Sequence, residues 1–130
     1  MNELARAYLE KARQSLHEAR AVAGIGLFGA AGRAGYLAAY HAAQAFILAR
    51  TNKVAKTHSG VRSEFARVAR SNPGFERRLT SFLARTYNLK VAADYAVGAD
   101  VGVSAEEAAE AIEGATRFVE AIEQALSNAQ

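Results

Sequence analysis

Residues 31–60, AGRAGYLAAYHAAQAFILARTNKVAKTHSG, constrain the fold more than any other stretch. The first two-thirds reads as a helix that is apolar almost all the way round. At about 100° per residue, Arg33, Tyr36, Leu37, Tyr40, His41, Gln44, Ile47 and Leu48 share one broad face. Gly35, Ala38, Ala39, Ala42, Ala45 and Phe46 form the other. A helix apolar on both sides must be covered on both, so it belongs at the centre of a bundle. Its few polar groups need partners or a purpose, because unpaired buried polar groups are costly. They are Arg33, the two Tyr hydroxyls, His41 and Gln44.

The other bounds agree with a helical domain. The 130 residues suit a single domain, 1–130, with its own core. Apolar residues make up 51% of the chain, which excludes a disordered segment. One proline and abundant alanine favour helix. With no cysteine, disulfides and thiolate chemistry are excluded, and a cytoplasmic setting is the expectation. The start, Met1-Asn2-Glu3-Leu4-Ala5, does not read as a signal peptide. Residues 21–49 are long and poor in charge, but Arg33 and His41 interrupt them. They read as a buried helix rather than a membrane span, with a turn at Gly24–Gly26 and close helix contacts from Gly29 to Gly35.

Charge is unevenly distributed. Residues 50–90 carry ten Lys/Arg against Glu64 and Glu76, a local +8. Residues 91–130 carry eight Asp/Glu against Arg117, a local −7. Twelve of the sixteen basic residues are Arg, which suits bidentate phosphate contacts. The competing reading is that the two halves face each other and cancel.

Periodicity and caps predict five helices. The first, 2–23, is capped by Asn2 and carries a stripe of Leu4, Tyr8, Ala12, Leu16, Ala19 and Ala23, with His17 solvated at its edge. The second runs from about 27 to 50. A shorter third, about 59–71, is capped by Thr57 or Ser59 and turns Val61, Phe65 and Val68 inward. Asn72-Pro73-Gly74 is a break. The fourth, about 74–97, carries Phe75, Leu79, Phe82, Thr86, Leu89 and Ala93, and Gly98 stops it. Ser104 and Glu107 form a capping box for the last, 105–127, with Ala105, Ala108, Ile112, Ala115, Val119, Ile122 and Leu126 inward. The predicted class is all-α: an antiparallel up-and-down bundle of four long helices and a short one.

Several chemistries have no motif. Glu-x-x-His, His-x-x-x-His and the Gly-x-x-x-x-Gly-Lys phosphate loop are absent, so no metal or cofactor is expected. The candidates that remain are Arg33, Tyr36, Tyr40 and His41 on the central helix, Lys56, Thr57 and His58 after it, and Lys90, Asp94 and Tyr95 on the fourth. His can move a 2′-hydroxyl or leaving-group proton, and Arg can stabilise a phosphorane, so an Arg–His pair suits metal-independent RNA cleavage. The same residues also fit a buried polar network that fixes helix register and does no chemistry.

Three motif segments, together with the final helix, resemble one family. Arg33-Ala-Gly-Tyr36-Leu-Ala-Ala-Tyr40-His41-Ala-Ala-Gln44-Ala is similar to the SRAYYAxxHAAxA signature of HEPN-domain proteins. Lys56-Thr-His58-Ser-Gly-Val61 followed by Phe65 resembles their KTHSGV segment. Lys90-Val-Ala-Ala-Asp94-Tyr95 resembles their RxxADY, and Ala115, Phe118 and Val119 match the ending. The resemblance spans nearly the whole chain. It implies an α-helical bundle, usually a homodimer, often encoded beside a minimal nucleotidyltransferase. Many members are RNA-cleaving toxins neutralised by that partner, and others bind nucleotides.

The resemblance makes Arg33 and His41 the catalytic candidates. Tyr36, Tyr40, His58, Lys90, Asp94 and Tyr95 become substrate-binding candidates. Lys53, Lys56, Arg62, Arg77 and Arg78 are candidate phosphate contacts. The chain departs from the pattern in three places. Seven residues separate Arg33 from His41 where the nucleases have four to six, Leu37 replaces the second Tyr of the pair, and Lys90 stands where Arg is usual. Eight positions correspond to a rise of about 12 Å, so the two side chains cannot stack directly on one helix. The alternative function is a non-catalytic helical interaction module.

Overall fold

The computed structural model describes residues 2–72, 75, 77–97 and 102–128. They form five helices: α1 (Glu3–Gly24), α2 (Phe28–Thr51), α3 (His58–Ala69), α4 (Arg77–Tyr95) and α5 (Ala105–Asn128). The described residues hold no strand. The third and fourth helices are shorter than the sequence suggests. The break at Pro73-Gly74 and the stop at Gly98 lie outside the described residues.

Local chemistry sets the ends. Asn2 accepts a 2.7 Å bond from the Ala5 amide. Thr57, not Ser59, caps α3 by accepting from the Gly60 amide at 2.9 Å. The capping box on α5 is complete: Ser104 Oγ accepts from the Glu107 amide, and Glu107 accepts from the Ser104 amide. α1 ends at the predicted turn, where Gly26 has a φ of +84°, a conformation that favours glycine.

The helix directions follow from named contacts. A Cβ on Gly29 would meet Ala93, and one on Gly32 would meet Leu89, so α2 runs antiparallel to α4. Arg13 pairs with Glu123 and Arg20 donates to Thr116, so α1 runs antiparallel to α5. The three-residue turn between α1 and α2 makes those two antiparallel as well. α2 touches all four other helices and is the centre of the bundle. Alanines on both sides of it are fully buried, among them Ala38, Ala39, Ala42 and Ala45. The glycine contacts occur as expected, with Gly35 against the Ala111 backbone.

The core joins α2 to Phe65 of α3, Phe82 and Leu83 of α4, and Phe118, Val119 and Ile122 of α5. Two stripes need correction. On α1 the buried set is Ala5, Leu9, Ala12, Leu16 and Ala19, while Leu4 is half exposed. On α5, Ala105 is exposed, and Ala111 and Phe118 are buried. In both cases the apolar set is wider than the contact surface, and the neighbouring helix selects the face.

Among the described residues one ion pair, Lys90–Asp94, joins the basic and acidic blocks. No helix among the described residues is long and apolar enough to cross a membrane.

Candidate functional site

After α2 the chain doubles back along it. The polar side chains of the central helix hold this returning segment. Gln44 Nε2 donates to the Ala55 carbonyl at 2.8 Å, and the Tyr40 hydroxyl donates to the Lys56 carbonyl at 2.7 Å. One turn further on, the Tyr36 hydroxyl meets His58 Nδ1 at 2.7 Å. Three side chains at four-residue spacing thus fix where α3 begins.

His58 sits in a box of aromatic rings. Its ring centroid lies 5.6 Å from Tyr36, 4.9 Å from Tyr40 and 5.5 Å from Tyr87. Burial pushes the Tyr36 pKa up, so its hydroxyl keeps its proton and can donate to His58. With Tyr36 as the donor, His58 Nδ1 accepts and the neutral ring carries its proton on Nε2. Burial lowers the His58 pKa, Lys90 and Arg62 lower it further, and Asp94 opposes them.

Asp94 organises the neighbouring charges. Its Oδ1 accepts from Arg33 Nε at 2.7 Å, and its Oδ2 from Lys90 Nζ at 2.7 Å. The hydrogen bonds from Lys90 and then Arg33 hold its carboxyl below the usual range. Arg62 lies with its guanidinium carbon 4.0 Å above the Tyr87 ring. Its Nη1 is buried and has no hydrogen-bond partner. Arg33 from α2, His58 and Arg62 from α3, and Tyr87, Lys90 and Asp94 from α4 therefore form one cluster.

His41 stands beside this cluster, with its ring 5.4 Å from that of Tyr40. Gln44 turns its oxygen toward His41 because its nitrogen is committed to Ala55. His41 Nδ1 therefore donates to Gln44 Oε1 at 2.9 Å. That leaves the lone pair of the neutral ring on Nε2. Burial lowers the His41 pKa, the Gln44 bond opposes this, and Lys11 lowers it further. Arg33 engages Asp94, whereas His41 engages Gln44.

The remaining candidates are dispersed. Tyr95 is 78% exposed. Lys53 and Lys56 are exposed on the returning segment. Arg77 and Arg78 are exposed at the start of α4, and sixteen positions put Arg78 about 24 Å along the helix from Asp94. Tyr87 is the residue that motif reading passed over. The available signal was its spacing, three residues before Lys90 and seven before Asp94 on one helical face. Among the described residues no group of three His, Asp or Glu could hold a metal ion. An apolar groove lined by Ala23, Phe28, Ala105, Ala109 and Ile112 lies away from the motif residues, between α1 and α5.

An all-α bundle whose central helix brings an Arg and paired Tyr to a basic cluster, with a His beside it, defines a recognisable class. The chain belongs to the HEPN-domain family, whose model matches residues 5–125. Its fold is similar to that of TT1696 from Thermus thermophilus, known from a crystal structure. The two are 27% identical with a TM-score of 0.76, over 95% of this chain and 98% of that one. No functionally curated protein matches the chain.

Proposed function

We propose that the protein is the HEPN half of a two-gene, toxin–antitoxin-type module. In this reading it binds RNA or a nucleotide, pairs with a minimal nucleotidyltransferase-type partner and cleaves RNA without a metal. One observation carries the reading: residues of all three family motifs, far apart in sequence, meet in one basic cluster. The chemistry follows from the assigned protons. His41 Nε2 takes the proton of a 2′-hydroxyl, the oxygen attacks the adjacent phosphorus to form a 2′,3′-cyclic phosphate, and the bond to the 5′-oxygen breaks as that oxygen takes a proton from the imidazolium or from water. Arg33 stabilises the phosphorane through the guanidinium nitrogens that Asp94 does not engage. The exposed Lys53, Lys56, Arg77 and Arg78 supply salt-sensitive contacts along a longer strand.

Arg33 and His41 are eight positions apart on α2 and engage different partners, so they act together either through the reach of Arg33 or in a homodimer that joins the Arg33 of one protomer to His41 of its partner. Apolar exposure at one end of the bundle supports self-association. Ile25, Leu27, Tyr95 and Val97 are all exposed there, beside the Gly29–Ala93 contact.

The competing reading is a non-catalytic interaction module, favoured by the satisfied bonds of Gln44, Tyr40 and Tyr36. Labelled RNA incubated with the protein and with Arg33→Ala and His41→Ala variants separates the two. Cleavage lost in both variants at unchanged helical content supports the nuclease. An inert wild type, with variants that only melt earlier, supports the structural module.

A further inference from the structure

Residues 52–57 carry the chain from the end of α2 back along it to α3. Two successive carbonyls of this segment are held by α2, that of Ala55 by Gln44 Nε2 at 2.8 Å and that of Lys56 by the Tyr40 hydroxyl at 2.7 Å. The first of these bonds reaches further than the segment. An amide that commits its nitrogen to a carbonyl has only its oxygen left to present elsewhere. Gln44 is 5% exposed, so little water competes for either end. Its Oε1 meets His41 Nδ1 at 2.9 Å, and the ring must carry a proton there. A free neutral histidine side chain prefers its proton on the other nitrogen, Nε2. Here the bond on Nδ1 overrides that preference. Reversing the ring would turn the amide over, aim its oxygen at the Ala55 oxygen and lose both bonds. Among the described residues Arg62 Nη1 is the only enclosed side-chain nitrogen or oxygen without a partner, so the unpartnered His41 Nε2 is open to solvent. A lone pair at that position can take a proton, and an N–H cannot.

We infer that Gln44 is a positioning residue through which the segment 52–57 sets the tautomer of His41, and with it the ability of Nε2 to act as a base. While the Ala55 carbonyl is docked, the lone pair stands on Nε2. When that carbonyl withdraws, the amide is free to rotate and the ring returns its proton to Nε2. Lys53 and Lys56 are exposed on the same segment, so a ligand that pulls on them acts on the base without touching it. A neutral amide is what makes the device responsive. A carboxylate at this position would accept from Nδ1 with either oxygen, wherever the segment lay, and would favour the imidazolium as well. The ionisable neighbours of His41 are Lys11 of α1 and Tyr40 of its own helix. The inference rests on the proposed function only for the role of His41 as a base. The tautomer and its dependence on the segment require no cleavage.

The test reads the nitrogen-15 shifts of the His41 ring in the full chain, at a pH where the ring is neutral. The wild type is expected to show the Nδ1–H form in about tenfold excess or more. Tyr40→Phe keeps the ring beside His41 but releases the Lys56 carbonyl, and it is expected to raise the Nε2–H share several-fold. Gln44→Glu is expected to keep the Nδ1–H form, and adding Tyr40→Phe to it is expected to change nothing, because a carboxylate needs no orienting. Gln44→Met is expected to free the ring to its ordinary Nε2–H preference. If the wild type cleaves RNA, Gln44→Met should lower kcat about tenfold or more at nearly constant KM. Gln44→Glu should then move the acidic limb of the pH–rate profile to higher pH, a shift that a purely structural role does not produce. A wild type with mostly Nε2–H overturns the inference. So does a Tyr40→Phe variant that melts earlier with an unchanged tautomer ratio, since the segment then has no hold on the ring. An equal effect of Tyr40→Phe in the Gln44→Glu background also overturns it, because Tyr40 then acts on His41 directly. A protein that shows the expected tautomers but cuts no RNA keeps the positioning role of Gln44 and removes the nuclease reading.

Discussion

The Tyr36 hydroxyl and His58 Nδ1 stand 2.7 Å apart, joining the middle of α2 to the first turn of α3. Tyr36 has no exposed surface, so this bond has no water to replace it. Tyr36→Phe is expected to cost about 1 kcal/mol of stability, read by denaturant unfolding. It also releases the His58 tautomer. Nitrogen-15 shifts of the ring should show one tautomer in the wild type and a mixture in the variant, and a single unchanged tautomer would contradict the assignment.

Gln44 serves two groups at once, the Ala55 carbonyl and His41 Nδ1. It is 5% exposed. Gln44→Ala strips a partner from both and is expected to destabilise by about 2–4 kcal/mol. Gln44→Glu keeps the acceptor for His41 and should raise the His41 pKa by adding a negative charge beside it, which an NMR titration reads directly.

Two glycines in helices should respond in opposite directions. A Cβ at Gly114 would overlap the Phe82 ring, which is held against Phe118 in the core. Gly114→Ala is expected to lower stability by about 1–3 kcal/mol despite the better helix propensity. A Cβ at Gly29 meets Ala93 at an ordinary 3.6 Å. Gly29→Ala is expected to raise stability by about 0.5 kcal/mol. Thermal melts of both variants check the pair, and a loss at Gly29 as large as that at Gly114 would refute the packing described for α2 and α4.

Asp94→Asn leaves Arg33 and Lys90 without their shared acceptor. The melting temperature is expected to fall modestly, since the pair is partly solvated. The cluster gains positive charge, so affinity for RNA is expected to rise at low salt, with a steeper salt dependence. Fluorescence anisotropy across a salt series reads both effects, and weaker RNA binding at low salt would place the RNA elsewhere.

Acid should unfold the protein earlier than its carboxylates alone would. His41 and His58 are both held neutral, with pKa values below the ordinary histidine value. As pH falls through that value the unfolded chain takes up protons that the folded chain refuses, so stability declines from there downward. The Asp94 contribution has the same sign and is lost at lower pH, as its depressed carboxyl becomes protonated. Urea midpoints between pH 8 and pH 5 should fall in the wild type. The decline should flatten in a His41→Gln, His58→Gln double variant, and an unaltered slope would show that neither ring is buried neutral.

Short-range chemistry made much of this fold legible in advance. The caps at Asn2, Thr57 and Ser104–Glu107 act within three residues, and a helix apolar on all sides can only be central. The HEPN motifs pointed first to Arg33 and His41, then to His58 and Asp94; the fold gathers Arg33, His58 and Asp94 and leaves His41 beside them on Gln44. Which face of α1 would be buried, Leu9 rather than Leu4, was not legible, because the chain offers apolar side chains on adjacent stripes and the packed neighbour chooses. The ring of Tyr87 beneath Arg62, the carboxylate shared by Arg33 and Lys90, and the divergence of Arg33 from His41 belong to the folded bundle. Contacts such as Arg33–Asp94 span 61 positions and Tyr36–His58 span 22. Local propensity and periodicity extend over a turn or two of helix, so these pairings arise only when α3 and α4 dock against α2.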